Sequence, residues 1–233
     1  MPEQHFLDIR HLEAGYGRSQ VLFDLNMGIP WRGAVAVLGR NGAGKTTLLK
    51  TIMGELPSSR GEVFFDGRDI TRRRTEERVR MGIGYVPQEH SVFARLSVRD
   101  NLAVGSLSNR DATAVDRVLT IFPKLGQRLD QPAGTLSGGE RKMLAIGRAM
   151  LGNPKLLLLD EPTEGVWVGV IEEITERLID LAKEIAVIIV EQHLDLALQV
   201  AGYAYVLDRG RVGLQGGGGE VRSNPELLRY LAP

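Results

Sequence analysis

The chain has 233 residues, 43% hydrophobic and 25% charged, with 29 basic and 29 acidic side chains in balance and no cysteine. That length allows one domain, or one domain with a subdomain, around a substantial core. The charge balance argues against a broad grip on nucleic acid or anionic lipid, and the missing thiols exclude a disulfide framework or a thiolate metal site.

Met1 to Phe6 carries Glu3 and no apolar stretch, so no secretory signal is expected there, and nowhere does a run of about eighteen apolar residues mark a membrane span. Between Val21 and Ile29 every odd position is apolar while Asp24, Asn26 and Gly28 fall between them, the period of two of a half-buried strand. The N-terminal part is thus expected to be antiparallel β. From Ala34 the pattern changes: Ala34 to Leu38, and later Leu156 to Leu159 and Ile185 to Val190, are continuous apolar runs, as in parallel strands covered on both faces. Val63 to Phe65 running into Asp66-Gly67 signals a hairpin. Arg72 to Arg74, followed by Glu76 and Glu77, reads as a solvated helix start. Residues from about Ser97 to Met150 lack apolar strand runs and read as an inserted helical stretch. Gly216 to Gly219 has no lysine or helix-opening Ser/Thr after it and reads as a flexible turn. The expected class is α/β.

Two motifs carry chemistry. Gly39-Arg40-Asn41-Gly42-Ala43-Gly44-Lys45-Thr46 follows the Ala34 strand and precedes the helix-compatible Thr47 to Met53, the strand–loop–helix setting in which G-x-x-x-x-G-K-[ST] binds phosphate. Its glycines let successive amides face an anion at a helix N-terminus. Lys45 would reach the β- and γ-phosphates, and the Thr46 hydroxyl suits Mg²⁺. The second motif is Asp160-Glu161, at the end of an apolar strand where open α/β sheets bind ligands. Asp160 is assigned to the metal. Glu161 is assigned to the base that orients or deprotonates an attacking water. No His/Cys/Asp/Glu spacing indicates zinc.

Leu136-Ser137-Gly138-Gly139-Glu140 then fixes a family. With the phosphate loop, Gln88, Asp160-Glu161 and His193 in this order, the chain resembles the ATP-binding cassette (ABC) ATPases along essentially its whole length. The resemblance implies a RecA-like P-loop core with an N-terminal antiparallel β layer and an inserted helical subdomain. One cassette would span 1–233, with 1–88 and 152–233 as the α/β core and 89–151 as the helical subdomain. It implies ATP and Mg²⁺ as ligands, Tyr16 stacking on adenine, residues 39–47 around the phosphates, and Gln88 in the Mg²⁺ shell with Thr46 and Asp160. His193 would be a switch near the γ-phosphate. Ser137, Gly138 and Gly139 would complete the site of a second, head-to-tail cassette. Their amides precede the amphipathic stretch from Glu140 to Leu151 and would open a helix there.

The phrases LSGGERKMLAIGRA (136–149), GRDIT (67–71) and FPKL (122–125) are similar to the shorter ATPase of branched-chain amino acid importers. DEPTEG (160–165) leans toward the related urea and short-amide importers. The partners so implied are integral-membrane permease subunits, a second cassette (itself or a paralogue) and, indirectly, a solute-binding protein, with no nucleic acid. The place of work would be the cytoplasmic face of the cell membrane. Alternatives are a non-transport P-loop ATPase or a small-molecule kinase. Val166-Trp167-Val168-Gly169 departs from the family's usual polar, proline-containing stretch and puts communication between paired sites in question.

Overall fold

The computed structural model describes residues 5–107 and 109–231. Two sheets organise the chain. β1 (Leu7–Tyr16), β2 (Ser19–Ile29), β4 (Ser58–Phe65) and β5 (Arg68–Asp69) form an antiparallel sheet in the order β2-β1-β4-β5. The second sheet holds β3 (Gly33–Gly39), β6 (Ile83–Val86), β7 (Leu156–Asp160), β8 (Ala186–Glu191), β9 (Tyr203–Asp208) and β10 (Arg211–Gly217), ordered β10-β9-β3-β8-β7-β6. All of its pairings are parallel except β10 on β9.

The apolar runs explain why the second sheet lies in the middle. In β3, Ala34, Ala36 and Leu38 enter one core cluster while Val35 and Val37 enter the other; Leu157 and Leu159 against Leu156 and Leu158 divide the same way in β7. Successive strand residues point to opposite faces, so a strand apolar at every position must be covered twice. The antiparallel sheet and α1 (Lys45–Met53) cover one face, and helices cover the other.

Between β6 and β7 the described residues hold helices and no strand of either sheet: α3 (Val98–Ser106), α4 (Ala114–Ile121), α5 (Pro123–Gly126) and α6 (Gly138–Met150). α2 (Thr75–Met81), between β5 and β6, begins where the arginine run reads as a solvated start: Arg74 is its N-cap and Arg72 to Arg74 are exposed. α7 (Val168–Glu184) and α8 (Leu194–Val200) flank β8 in sequence. One expectation is corrected. Gly216 and Gly217 pair with Ala204 and Tyr203 as the end of β10, and Gly218 opens a short helix, α9 (Gly218–Ser223). The ladder with β9 and the Glu220 carboxylate, which accepts from the Gly217 amide at 2.9 Å, supply the order that these glycines lack in side chains.

Candidate nucleotide site

The C-terminal ends of four neighbouring parallel strands, β3, β8, β7 and β6, bring together segments far apart in sequence. β3 runs into the phosphate loop, β8 ends at Glu191, β7 ends at Asp160, and Gln88 lies just beyond β6. Gly39, Gly42 and Gly44 have φ of 152°, 80° and 106°, a region that side chains disfavour. A Cβ on Gly44 would also lie 2.8 Å from Leu22. Gly44 is the N-cap of α1, and among the described residues the amides of Lys45, Thr46 and Thr47 find no backbone acceptor, as in any first helical turn. These amides and the helix end form an anion cradle. The cavity beside it, of about 370 Å³, is lined by Asn41, Gly42, Lys45, Thr46, Gln88 and Glu161 among others.

Lys45 is buried and its ammonium donates to the carbonyls of Gly39 (2.8 Å) and Arg40 (3.1 Å), 3.5 Å from Glu161 Oε1. Three side chains therefore converge on the Glu161 carboxylate: Lys45, Gln88 Nε2 at 3.1 Å and Gln192 Nε2 at 2.9 Å. Gln192 also donates to Asn41 Oδ1 at 2.8 Å, and Gln88 to Glu164 at 2.7 Å. The Glu161 backbone has φ 47°, while its amide is held by the Val190 carbonyl at 2.9 Å. A non-glycine residue held there costs of order 1–3 kcal/mol, a pattern that concentrates at functional sites.

Asp160 differs from its neighbour. Oδ2 accepts a long 3.4 Å bond from the Tyr85 hydroxyl, and Oδ1 is buried with no hydrogen-bond partner. Burial raises its pKa above the ordinary 3.8; the Thr46 hydroxyl, which approaches without closing a hydrogen bond to Oδ1, opposes this, and the Glu161 charge adds to it. An orphaned carboxylate oxygen beside a threonine hydroxyl fits a hard cation, since Mg²⁺ takes one or two protein oxygens and completes its shell with phosphate and water. Among the described residues no cluster of three His, Cys, Asp or Glu side chains forms a metal cage by itself.

The other sequence-predicted residues lie further out. Tyr16 ends β1 and is half exposed. His193 is the N-cap of α8, exposed, with no side-chain hydrogen bond among the described residues; Gln192 makes the contacts to the loop instead. Ser137 caps α6 through a reciprocal pair with Glu140 (3.3 and 2.9 Å) and is exposed, while Gly138 and Gly139 form the first turn and none of the three lines the loop cavity. Sequence reasoning missed Gln192, Tyr85, Glu191 and Lys142. The buried Glu191 accepts from the Thr163 hydroxyl at 2.7 Å and its amide at 3.2 Å, fixing the turn after Glu161. Glu191 and Gln192 carried a signal, their place at and just beyond the end of a buried strand.

A phosphate loop after β3 and an acid pair at the end of β7, two strands apart in a doubly covered, mainly parallel sheet, define a P-loop nucleotide hydrolase. Residues 22–164 match the ABC transporter family. The high-affinity branched-chain amino acid transport ATP-binding protein BraG of Pseudomonas aeruginosa is 40% identical over 216 residues, 91% of this chain and 93% of its own. The lipopolysaccharide export system ATP-binding protein LptB of Escherichia coli is 35% identical over 234 residues, 97% of this chain and 96% of its own. The crystal structure of the ADP conformation of MJ1267, an ATP-binding cassette of an ABC transporter, superposes with a TM-score of 0.87 at 28% identity, covering 99% of this chain and all of that one. The chain belongs to the ABC transporter family, as one of its ATP-binding, ATP-hydrolysing cassettes.

Proposed function

We propose that this cassette energises an importer of branched-chain or other hydrophobic amino acids, with Glu161 as the base for ATP hydrolysis. The observation that carries the chemistry is the convergence of Lys45, Gln88 and Gln192 on the Glu161 carboxylate at the mouth of the phosphate loop. Lys45 moves its ammonium from the loop carbonyls to the β- and γ-phosphates, and the loop amides of residues 39–47 bind the phosphate oxygens. Glu161 accepts the proton of the attacking water or orients it, with Gln88 and Gln192 holding the carboxylate in place. Thr46, Asp160 and Gln88 hold Mg²⁺, which when bound neutralises charge on the phosphates. Tyr16 stacks on the adenine, and His193 turns toward the γ-phosphate. Ser137, Gly138 and Gly139 present the α6 N-terminus to the ATP of a second cassette, itself or a paralogue. Residues 89–151 act as a helical subdomain.

No helix of the described residues is long and apolar enough to cross a membrane. Permease subunits holding the cassette on the cytoplasmic face are proposed as its partners, with a solute-binding protein as an indirect one. The transport reading is supported by the 40% identity to BraG; the 35% identity to LptB over a longer span favours lipopolysaccharide export as the second reading. One experiment separates them. Glu161→Gln should slow turnover by about 10²–10⁴-fold while leaving ATP bound, and the trapped variant, recovered from native membranes with Mg-ATP, should carry amino acid permease subunits. Recovery of lipopolysaccharide-export partners instead would favour the second reading, and wild-type turnover would remove Glu161 from its role.

A further inference from the structure

Lys142 lies in the early turns of α6, three residues after the buried Gly139 and four before the buried Ile146, so the helical period turns this charged side chain inward. It is buried. Its ammonium donates to two main-chain carbonyls, those of Gln88 and Glu161, each at 3.0 Å. Both belong to residues whose side chains meet in the site, since Gln88 Nε2 donates to the Glu161 carboxylate. The Glu161 backbone is thereby fixed from two sides, its amide by Val190 and its carbonyl by Lys142, in a conformation that it would otherwise leave. Burial lowers the Lys142 pKa, and the carboxylates of Glu164, Glu191, Asp160 and Glu161 oppose that shift. An ammonium kept in such a place is costly unless its donors are used.

We propose that Lys142 is a positioning residue for hydrolysis: it ties the helix that bears Ser137-Gly138-Gly139 to the carbonyls of Gln88 and Glu161, so that the seating of that helix sets the aim of both side chains. The proposal rests on the reading of Gln88 and Glu161 as site residues. The same helix grips the segment after Gln88 at a second point, where Arg148 donates to the Ser91 carbonyl at 2.7 Å and lies over the Phe93 ring. Loss of Lys142 alone therefore leaves the segment attached and frees only its catalytic end.

The test compares Lys142→Met, Lys142→Gln and Glu161→Gln, measuring steady-state ATP turnover, fluorescent-ATP affinity of the monomer and thermal melting. Methionine keeps the length and removes every donor. Turnover should fall about a hundredfold, the effect of a misplacement of order 1 Å, with nucleotide affinity within about threefold of wild type. Glutamine keeps two N–H donors without the charge and should recover turnover to within about tenfold of wild type. A methionine variant with wild-type turnover beside an inactive Glu161→Gln overturns the proposal, as do equal losses in the methionine and glutamine variants. A methionine variant that no longer melts cooperatively, or that loses nucleotide affinity as steeply as turnover, shows Lys142 to be merely structural and also overturns it. Wild-type turnover in Glu161→Gln is a separate result: it brings down the site reading on which the role of Lys142 stands.

Discussion

Asp160 is a carboxylate buried next to a second carboxylate, with one oxygen unpartnered. Its raised pKa has a definite sign in stability. A carboxyl whose folded-state pKa exceeds its unfolded value binds the extra proton when folded, so its contribution is fully present below 3.8 and is lost as pH rises through the folded-state value. Above that range the nucleotide-free fold is penalised for holding the ionised carboxylate, an effect that burial and the Glu161 charge enlarge and the Lys45 charge reduces. Asp160→Asn should raise the melting temperature of the nucleotide-free protein at pH 7 by about 2–4 °C for each kcal/mol relieved. The same variant should lose the added stabilisation that Mg²⁺ gives in the presence of ATP. Thermal melts with and without Mg-ATP check both halves, and an unchanged Mg²⁺ response would move the metal away from Asp160.

Among the elements, α3 and α6 start with the same device: Ser97 and Ser137 each accept from the amide three residues on, and Asp100 and Glu140 return the bond. Such a cap contributes about 1 kcal/mol. Ser97→Ala and Ser137→Ala should thus each lower the melting temperature by about 2–4 °C, but only Ser137→Ala should also depress cooperative ATP hydrolysis, because its helix end is the one proposed to meet a second nucleotide. Equal activities would mean that Ser137 is a cap and nothing more. Elements of this molecule were legible in sequence in proportion to how fully they are buried. β3, β7 and β8 declared themselves as unbroken apolar runs, and only their end residues shifted. β6, with the partly buried Gly84 and Tyr85 in a four-residue strand, left no such run, while β9 does hold an apolar run, Ala204 to Leu207, that went unread. In the site, the loop and the acid pair are contiguous in sequence and were readable. Gln192 follows a buried strand and Lys142 shares a helix face with buried residues, but the partners of both are contacts that only tertiary folding creates.

For the whole molecule, the segment Val166 to Gly169 is the most conspicuous surface feature. Trp167 is 76% exposed and Val168 66%, and the indole lies so close over Gly169 that a Cβ there would sit 2.2 Å from the ring. Val166 packs toward the core beside Gly139 of the signature turn. If two cassettes pair as proposed, this indole leaves water. In a Trp31→Phe background, where Trp167 is the sole tryptophan, Mg-ATP added to Glu161→Gln should shift its emission to the blue, and Mg-ADP should not. An emission maximum indifferent to nucleotide would place the segment outside the closing surface.

The order of strands in the central sheet also dictates a timetable for the growing chain. β3, which delivers the phosphate loop, has β8 and β9 as its two neighbours, and pairs residues 33–39 with residues 186–191 and 203–207. At synthesis rates of about 5–20 residues per second, the loop emerges roughly 10–30 s before both flanking strands exist. During that interval Val35 and Val37 have no sheet to enter, and the glycines at 39, 42 and 44 have nothing to hold them at positive φ. The most recognisable stretch of the sequence is therefore among the last to acquire its shape, and a ribosome-bound chain stalled before β8 would carry every residue of the loop yet have no grip on ATP.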